Sequence, residues 1–145
     1  ISDVISGAAV STGKRWFAFD PGAKVPTARP ADEPAFTSNS PTSWAPAAFD
    51  AKLDLVYLPL GVTTPDIWGG NRTPDQERYA SSILALNPPT VKLAWSYHTV
   101  HHDPWDMHLP VQPTLADIPV PGHSAPLLSQ PATTANTFLL DRCND

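Results

Sequence analysis

Two imidazoles, an indole and two carboxylates fall within six residues, His101-His102-Asp103-Pro104-Trp105-Asp106, in a chain with only 16% charged residues. A carboxylate in such a setting can act as a general base, taking the proton of a substrate hydroxyl. An indole beside it withdraws it from water, which raises its proton affinity and makes it a stronger base. The same residue types admit metal chemistry. His98, His101, His102 and His108, with Asp103, could supply ligands to a zinc ion in a metal-dependent hydrolase. A third reading is purely structural, a turn whose Asp residues accept hydrogen bonds from backbone N–H groups.

A loop of this kind needs rigid elements on both sides. A strand-like run at 92–97 precedes it and another near 114–118 follows it, the usual way a sheet protein mounts a functional loop. Further strand patterns lie at 52–60, 81–86, 125–129 and 137–141, with a turn at 141–144. The spacing Thr73-Pro74-Asp75-Gln76 is that of a capping box with proline at the first helical position, and predicts a short helix. Longer helices are excluded by 18 prolines spread along 145 residues. A turn followed by an aromatic occurs at Thr12-Gly13-Lys14-Arg15-Trp16-Phe17. It recurs at Thr90-Val91-Lys92-Leu93-Ala94-Trp95, with Val91 where the glycine would stand. Two copies suggest repeated β units. Residues 21–43, rich in Pro, Ala, Ser and Thr, read as a linker on composition.

The net charge of −5 argues against nucleic acid and against an anionic membrane surface as partners. The single cysteine, Cys143, permits no disulfide within the chain. No apolar run reaches the length of a membrane span, and no signal peptide opens the sequence.

Beyond these readings, residues 39–50, 53–74, 76–87 and 101–106 resemble the PQQ (pyrroloquinoline quinone)-dependent dehydrogenases. The resemblance is closest to the membrane-bound quinoprotein glucose dehydrogenases of bacteria and extends from about Gly13 onward. It implies an all-β fold, about three consecutive blade portions of an eight-bladed propeller. Residues 1–145 would then be an interior fragment of the PQQ-binding domain, with 21–43 an ordered insertion. It also implies oxidation of glucose or a related aldose at C1 to the lactone, with hydride passing to PQQ and electrons to ubiquinone. The parent protein would sit in the bacterial inner membrane with its catalytic domain facing the periplasm, anchored by segments outside this chain.

By the same resemblance Asp106 is the catalytic base, Asp103 holds the loop, and Trp44 is the indole floor under PQQ. Thr64 faces a Ca²⁺ or Mg²⁺ ion bound with the cofactor. Trp68 and Trp95 are expected in core packing. Thr133 stands where the family carries a lysine that hydrogen-bonds the quinone, and Ala135 stands where it carries glycine. A neutral hydroxyl cannot give the charge-assisted donation of an ammonium. A propeller segment that has kept its fold and lost its chemistry is therefore the competing reading, and the isolated chain is expected to be inactive.

Overall fold

The computed structural model describes residues 5–8, 15–19 and 41–144, except 71 and 91; for 5–8 and 15–19 it describes the backbone alone. The turn residues 12–14 of the first motif, most of the 21–43 segment and Val91 lie outside these residues. Among the described residues, nine strands form three antiparallel sheets in chain order, with one helix between β4 and β5. Strands β1 (Ile5–Ala8) and β2 (Arg15–Phe19) pair with each other. Strands β3 (Ala48–Asp50), β4 (Leu55–Pro59), β5 (Ser82–Asn87) and β6 (Lys92–His98) form a four-stranded meander. Strands β7 (Thr114–Val120), β8 (His123–Pro131) and β9 (Thr137–Asp141) form a three-stranded one. Consecutive meanders of this kind are what blades of a propeller look like.

One expected strand, 52–60, begins later than its hydropathy suggests. Residues 51–54 are a turn between β3 and β4, with Asp54 in the left-handed region at φ 52°. The Asp50 carboxylate fixes that turn by accepting from the N–H groups of Lys52, at 2.8 Å, and Leu53, at 3.2 Å. The apolar alternation of 52–60 therefore belongs to a strand only from Leu55. Helix α1 (Pro74–Tyr79) has the capping box its sequence spells. The Thr73 hydroxyl accepts from Gln76 N–H, and the Gln76 side chain accepts from Thr73 N–H at 2.8 Å. It stops after six residues because Ala80 turns extended and Ser81 takes φ 47°.

The second and third sheets pack face to face. Leu55, Tyr57, Ile83, Ala85 and Trp95 of one join Leu128, Ala132 and Leu140 of the other, with Leu109 from the intervening loop. On the opposite face of the second sheet Leu60 and Leu84 meet Tyr79 of α1. A bulge between Ala85 and Leu86 lets Leu93 turn to that face while Trp95 stays in the inter-sheet core. With β5 buried from Ser82 to Leu86, this pleat anchors the strands on which the 99–113 loop is mounted.

One residue locks the two sheets together. Arg142, buried just after β9, contacts the Asp50 carboxylate at 2.9 Å and the Asp117 carboxylate, which also meets Lys52. Its backbone carbonyl accepts from Tyr57 Oη at 3.1 Å and from Trp95 Nε1 at 3.2 Å. Burial, reinforced by the nearby Asp50 charge, pushes the Tyr57 phenol up to about 12, so it stays a donor at any physiological pH. The expectation of core packing holds for Trp95. Trp68 is instead exposed, its ring lying so close to Gly70 that a Cβ there would come within 2.5 Å of it. No helix among the described residues is long and apolar enough to cross a membrane.

Candidate functional site

The His101–Asp106 segment lies in a loop between β6 and β7 that is anchored at several points. Thr99 N–H donates to Ser81 C=O at 2.9 Å. Gln112 reaches Ala47 C=O at 2.8 Å, and Gln130 reaches Val111 C=O at 3.1 Å. Arg72 donates to the Asp103 carbonyl at 2.6 Å, and His102 Nδ1 lies 2.6 Å from Glu77 of α1. His102 lies so close to Gly69 that a Cβ there would come within 2.8 Å of the imidazole.

Asp103, 1% exposed, organises the loop interior. One of its oxygens accepts from Ser81 Oγ at 2.6 Å and from Met107 N–H at 2.7 Å, and the other accepts from Trp105 N–H at 2.9 Å. The capping reading is thus the geometry of Asp103, while Asp106 is different. An amide at Asp103 would present N–H₂ to groups that are themselves donors. Asp103→Asn in the full-length protein is expected to cost about 1–3 kcal/mol of stability, with a smaller effect on turnover. Thermal unfolding of the variant checks this; an unchanged melting temperature with lost turnover would give Asp103 the chemical role instead.

Asp106 sits at φ 58° in a tight turn, with His108 N–H donating to its carbonyl at 3.1 Å. The expectation that an indole desolvates it is not met. Trp105 is 64% exposed and the Asp106 side chain 42% exposed, so water reaches both. The polar neighbour of the Asp106 carboxylate is His108, whose Nδ1 lies 3.1 Å from Oδ1.

Three of the expected site residues meet through that same histidine. The Trp44 indole packs edge-to-face with the His108 ring at 5.2 Å between centroids, and remains 58% exposed. Thr133, in the turn between β8 and β9, donates through Oγ1 to His108 C=O at 3.1 Å, with its N–H 3.3 Å from the same oxygen. Gly61 passes so close that a Cβ there would lie 3.0 Å from His108 Cβ and 2.7 Å from Thr42 Oγ1. Backbone bonds between Thr42 and Gly61 and Val62 bring the start of the Trp44 segment to this loop.

Thr64 is exposed, three residues beyond Gly61, and no hydrogen bond of its side chain occurs among the described residues. Its neighbour Thr63 is buried, with an unpartnered hydroxyl. The histidines do not converge as a zinc site requires. His98 packs beside His101, His102 faces Glu77 and His108 faces Asp106. Among the described residues no three His, Cys, Asp or Glu side chains could hold one metal ion.

Burial and the nearby His101 hold the His98 imidazole below the usual histidine range. The residue that sequence reasoning undervalued is His108. Its signal was its place two residues after Asp106, on the far side of a tight turn.

The set suits a flat aromatic ligand bearing carbonyl oxygens: an open indole surface for stacking, an exposed carboxylate beside it, and a hydroxyl from the facing turn. Residues 1–144 match the family described as "PQQ: Glucose/ethanol/alcohol dehydrogenase, beta-propeller domain". The chain is 71% identical over 143 residues to the quinoprotein glucose dehydrogenase of Escherichia coli (strain K12), covering 99% of this chain and 18% of that protein. It is 54% identical over 144 residues to quinoprotein glucose dehydrogenase A of Acinetobacter calcoaceticus, with the same 99% and 18% coverage. Its fold superposes on a europium-containing methanol dehydrogenase with a TM-score of 0.62 at 26% identity, covering 72% of this chain and 18% of that one. The chain therefore spans about a fifth of the length of the relatives it matches.

Proposed function

From a chain that belongs to the PQQ-dependent glucose/ethanol/alcohol dehydrogenase β-propeller family, we infer a segment of a quinoprotein glucose dehydrogenase. In this reading residues 1–145 are interior to the PQQ-binding propeller domain, and 21–43 is an insertion within it. The substrate is D-glucose or a related aldose, oxidised at C1 to the lactone. Two-electron oxidation of a sugar hydroxyl needs a proton acceptor and a hydride acceptor, and bound PQQ supplies the latter at its quinone carbonyl. Asp106 takes the anomeric hydroxyl proton on its carboxylate oxygen. Trp44 offers the stacking surface for the cofactor ring. Thr133, with one lone hydroxyl, offers a neutral contact toward it.

Thr64 is the residue proposed to face a Ca²⁺ or Mg²⁺ ion, since a hydroxyl oxygen suits a hard cation. The europium named in the methanol dehydrogenase is likewise a hard cation. The electron acceptor beyond the cofactor is ubiquinone, and the catalytic domain faces the periplasm from the bacterial inner membrane.

The observation that carries the reading is convergence: Trp44, Asp106 and Thr133, distant in sequence, all contact His108. PQQ reconstitution tests it. The full-length protein should oxidise glucose only when PQQ and a divalent cation are added. The 145-residue chain alone should be inactive and should not unfold cooperatively. Three sheets cannot close a propeller ring, and apolar side chains such as Leu139, 64% exposed, then have no covering blade. PQQ-dependent glucose oxidation by the isolated chain would overturn that half of the expectation. A full-length protein that binds PQQ without oxidising sugar would favour the degenerate propeller, for which Thr133 is the observation.

A further inference from the structure

His108 touches Trp44, Asp106 and Thr133 and belongs to none of the roles assigned above. Its ring is mostly withdrawn from water and points one nitrogen at the Asp106 carboxylate, 3.1 Å away. A carboxylate only accepts, so Nδ1 must be the protonated nitrogen in that contact. The ring's packing surface meets the Trp44 indole at an interplanar angle of 75°. Its backbone is held from three directions. The N–H bonds Asp106 C=O, the C=O receives Thr133, and its Cβ is closely approached by Gly61. A side chain so fixed transmits that fixity to what it touches.

We propose that His108 is a positioning residue with two separable tasks: Nδ1–H orients the Asp106 carboxylate, and the ring plane steadies the Trp44 indole. The proposal rests on the reading of Asp106 as base and Trp44 as cofactor floor. Asp106 needs such a device because its own surroundings leave it free. It projects from a left-handed turn into water, with no partner other than His108 among the described residues. An unrestrained carboxylate spends much of its time in rotamers that do not face a substrate, and precise orientation is a large part of general-base efficiency. Trp44 has the corresponding need, since most of its ring is open and one edge-to-face neighbour supports it.

Two substitutions in the full-length, PQQ-reconstituted enzyme separate the tasks. His108→Phe keeps a planar ring and removes the donor. His108→Asn keeps a donor close to the Nδ1 position and removes the ring. His108→Phe should lower kcat about tenfold, the loss of one hydrogen bond to a charged group, and leave PQQ affinity within about twofold. His108→Asn should restore kcat to within about threefold of wild type at saturating PQQ. Its PQQ affinity, read from quenching of tryptophan fluorescence in equilibrium titrations, should fall about three- to tenfold, the worth of an aromatic pair.

Should the phenylalanine variant fail to fold, His108→Leu takes its place, filling the half-buried volume without a donor. The combined variant His108→Phe with Asp106→Asn should be no slower than Asp106→Asn alone, because the histidine acts through that carboxylate. The proposal is overturned if the two single variants move kcat and PQQ affinity together, if neither moves either, or if the losses in the combined variant multiply. Asp106→Asn alone identifies a different failure. If it leaves turnover intact, the base itself has been misassigned, whatever the His108 variants do.

Discussion

Asp106→Asn in the full-length enzyme is expected to lower turnover by about 10²–10⁴, the usual contribution of a general base, while PQQ binding stays nearly intact. The amide matches the carboxylate in shape and can still meet His108, which has a second nitrogen state available to it. It cannot take a proton. Loss of rate with retained cofactor therefore separates basicity from packing. The exposure of Asp106 sharpens the expectation, because an exposed side chain can be changed without leaving a cavity or an orphaned buried donor. Asp103, three residues earlier and fully enclosed, is the internal contrast. Steady-state kinetics and PQQ titration of both variants decide between them. Turnover abolished by Asp103→Asn and spared by Asp106→Asn would mean that the wrong carboxylate carries the chemistry.

Thr133→Lys is expected to act in the opposite direction, raising turnover by up to about 10²-fold, the effect of one well-placed charge-assisted donor. The change should fall on kcat more than on KM for sugar, since the new ammonium would act on the reducing cofactor. The position tolerates the longer side chain. Thr133 is exposed in the β8–β9 turn, and among the described residues its hydroxyl meets the His108 carbonyl at 3.1 Å and the Met107 sulfur at 3.8 Å. A lysine there loses one modest hydrogen bond, while Thr133 N–H keeps its place on the same carbonyl. Unchanged turnover would show that a different cation serves the quinone oxygens.

Local chemistry made some of this architecture readable in advance. The capping box of α1 needs only Thr73, Pro74 and Gln76, and those residues form it. Strand β9 occupies the span its apolar run suggests, Thr137–Asp141. Where the reading failed, the deciding contact was distant or conformational. Residues 52–54 look like strand by hydropathy, yet the Asp50 carboxylate gathers their N–H groups into a turn. Trp68 has the composition of a core residue, but it lies over Gly70 at the surface. Trp105 was expected to shield Asp106 because it is adjacent in sequence. Adjacent side chains in a tight turn diverge, and the contact went to His108 instead. The role of Arg142 was invisible for the same reason, since its partners Asp50, Tyr57, Trp95 and Asp117 lie 25 to 92 positions away.

The Arg142 joint also bears on the order in which a ribosome would let this segment mature. Strands β3 to β6 emerge first, carrying a phenol and an indole N–H whose shared acceptor is the carbonyl of residue 142. Until some forty-four residues after β6 have been synthesised, both donors lack that acceptor, and the Asp50 oxygen not engaged by Lys52 and Leu53 lacks its guanidinium partner. The second blade is thus left unfinished on its inner face until the third arrives to complete it. In this arrangement the later blade supplies the acceptor and the counter-charge that its predecessor's polar groups require.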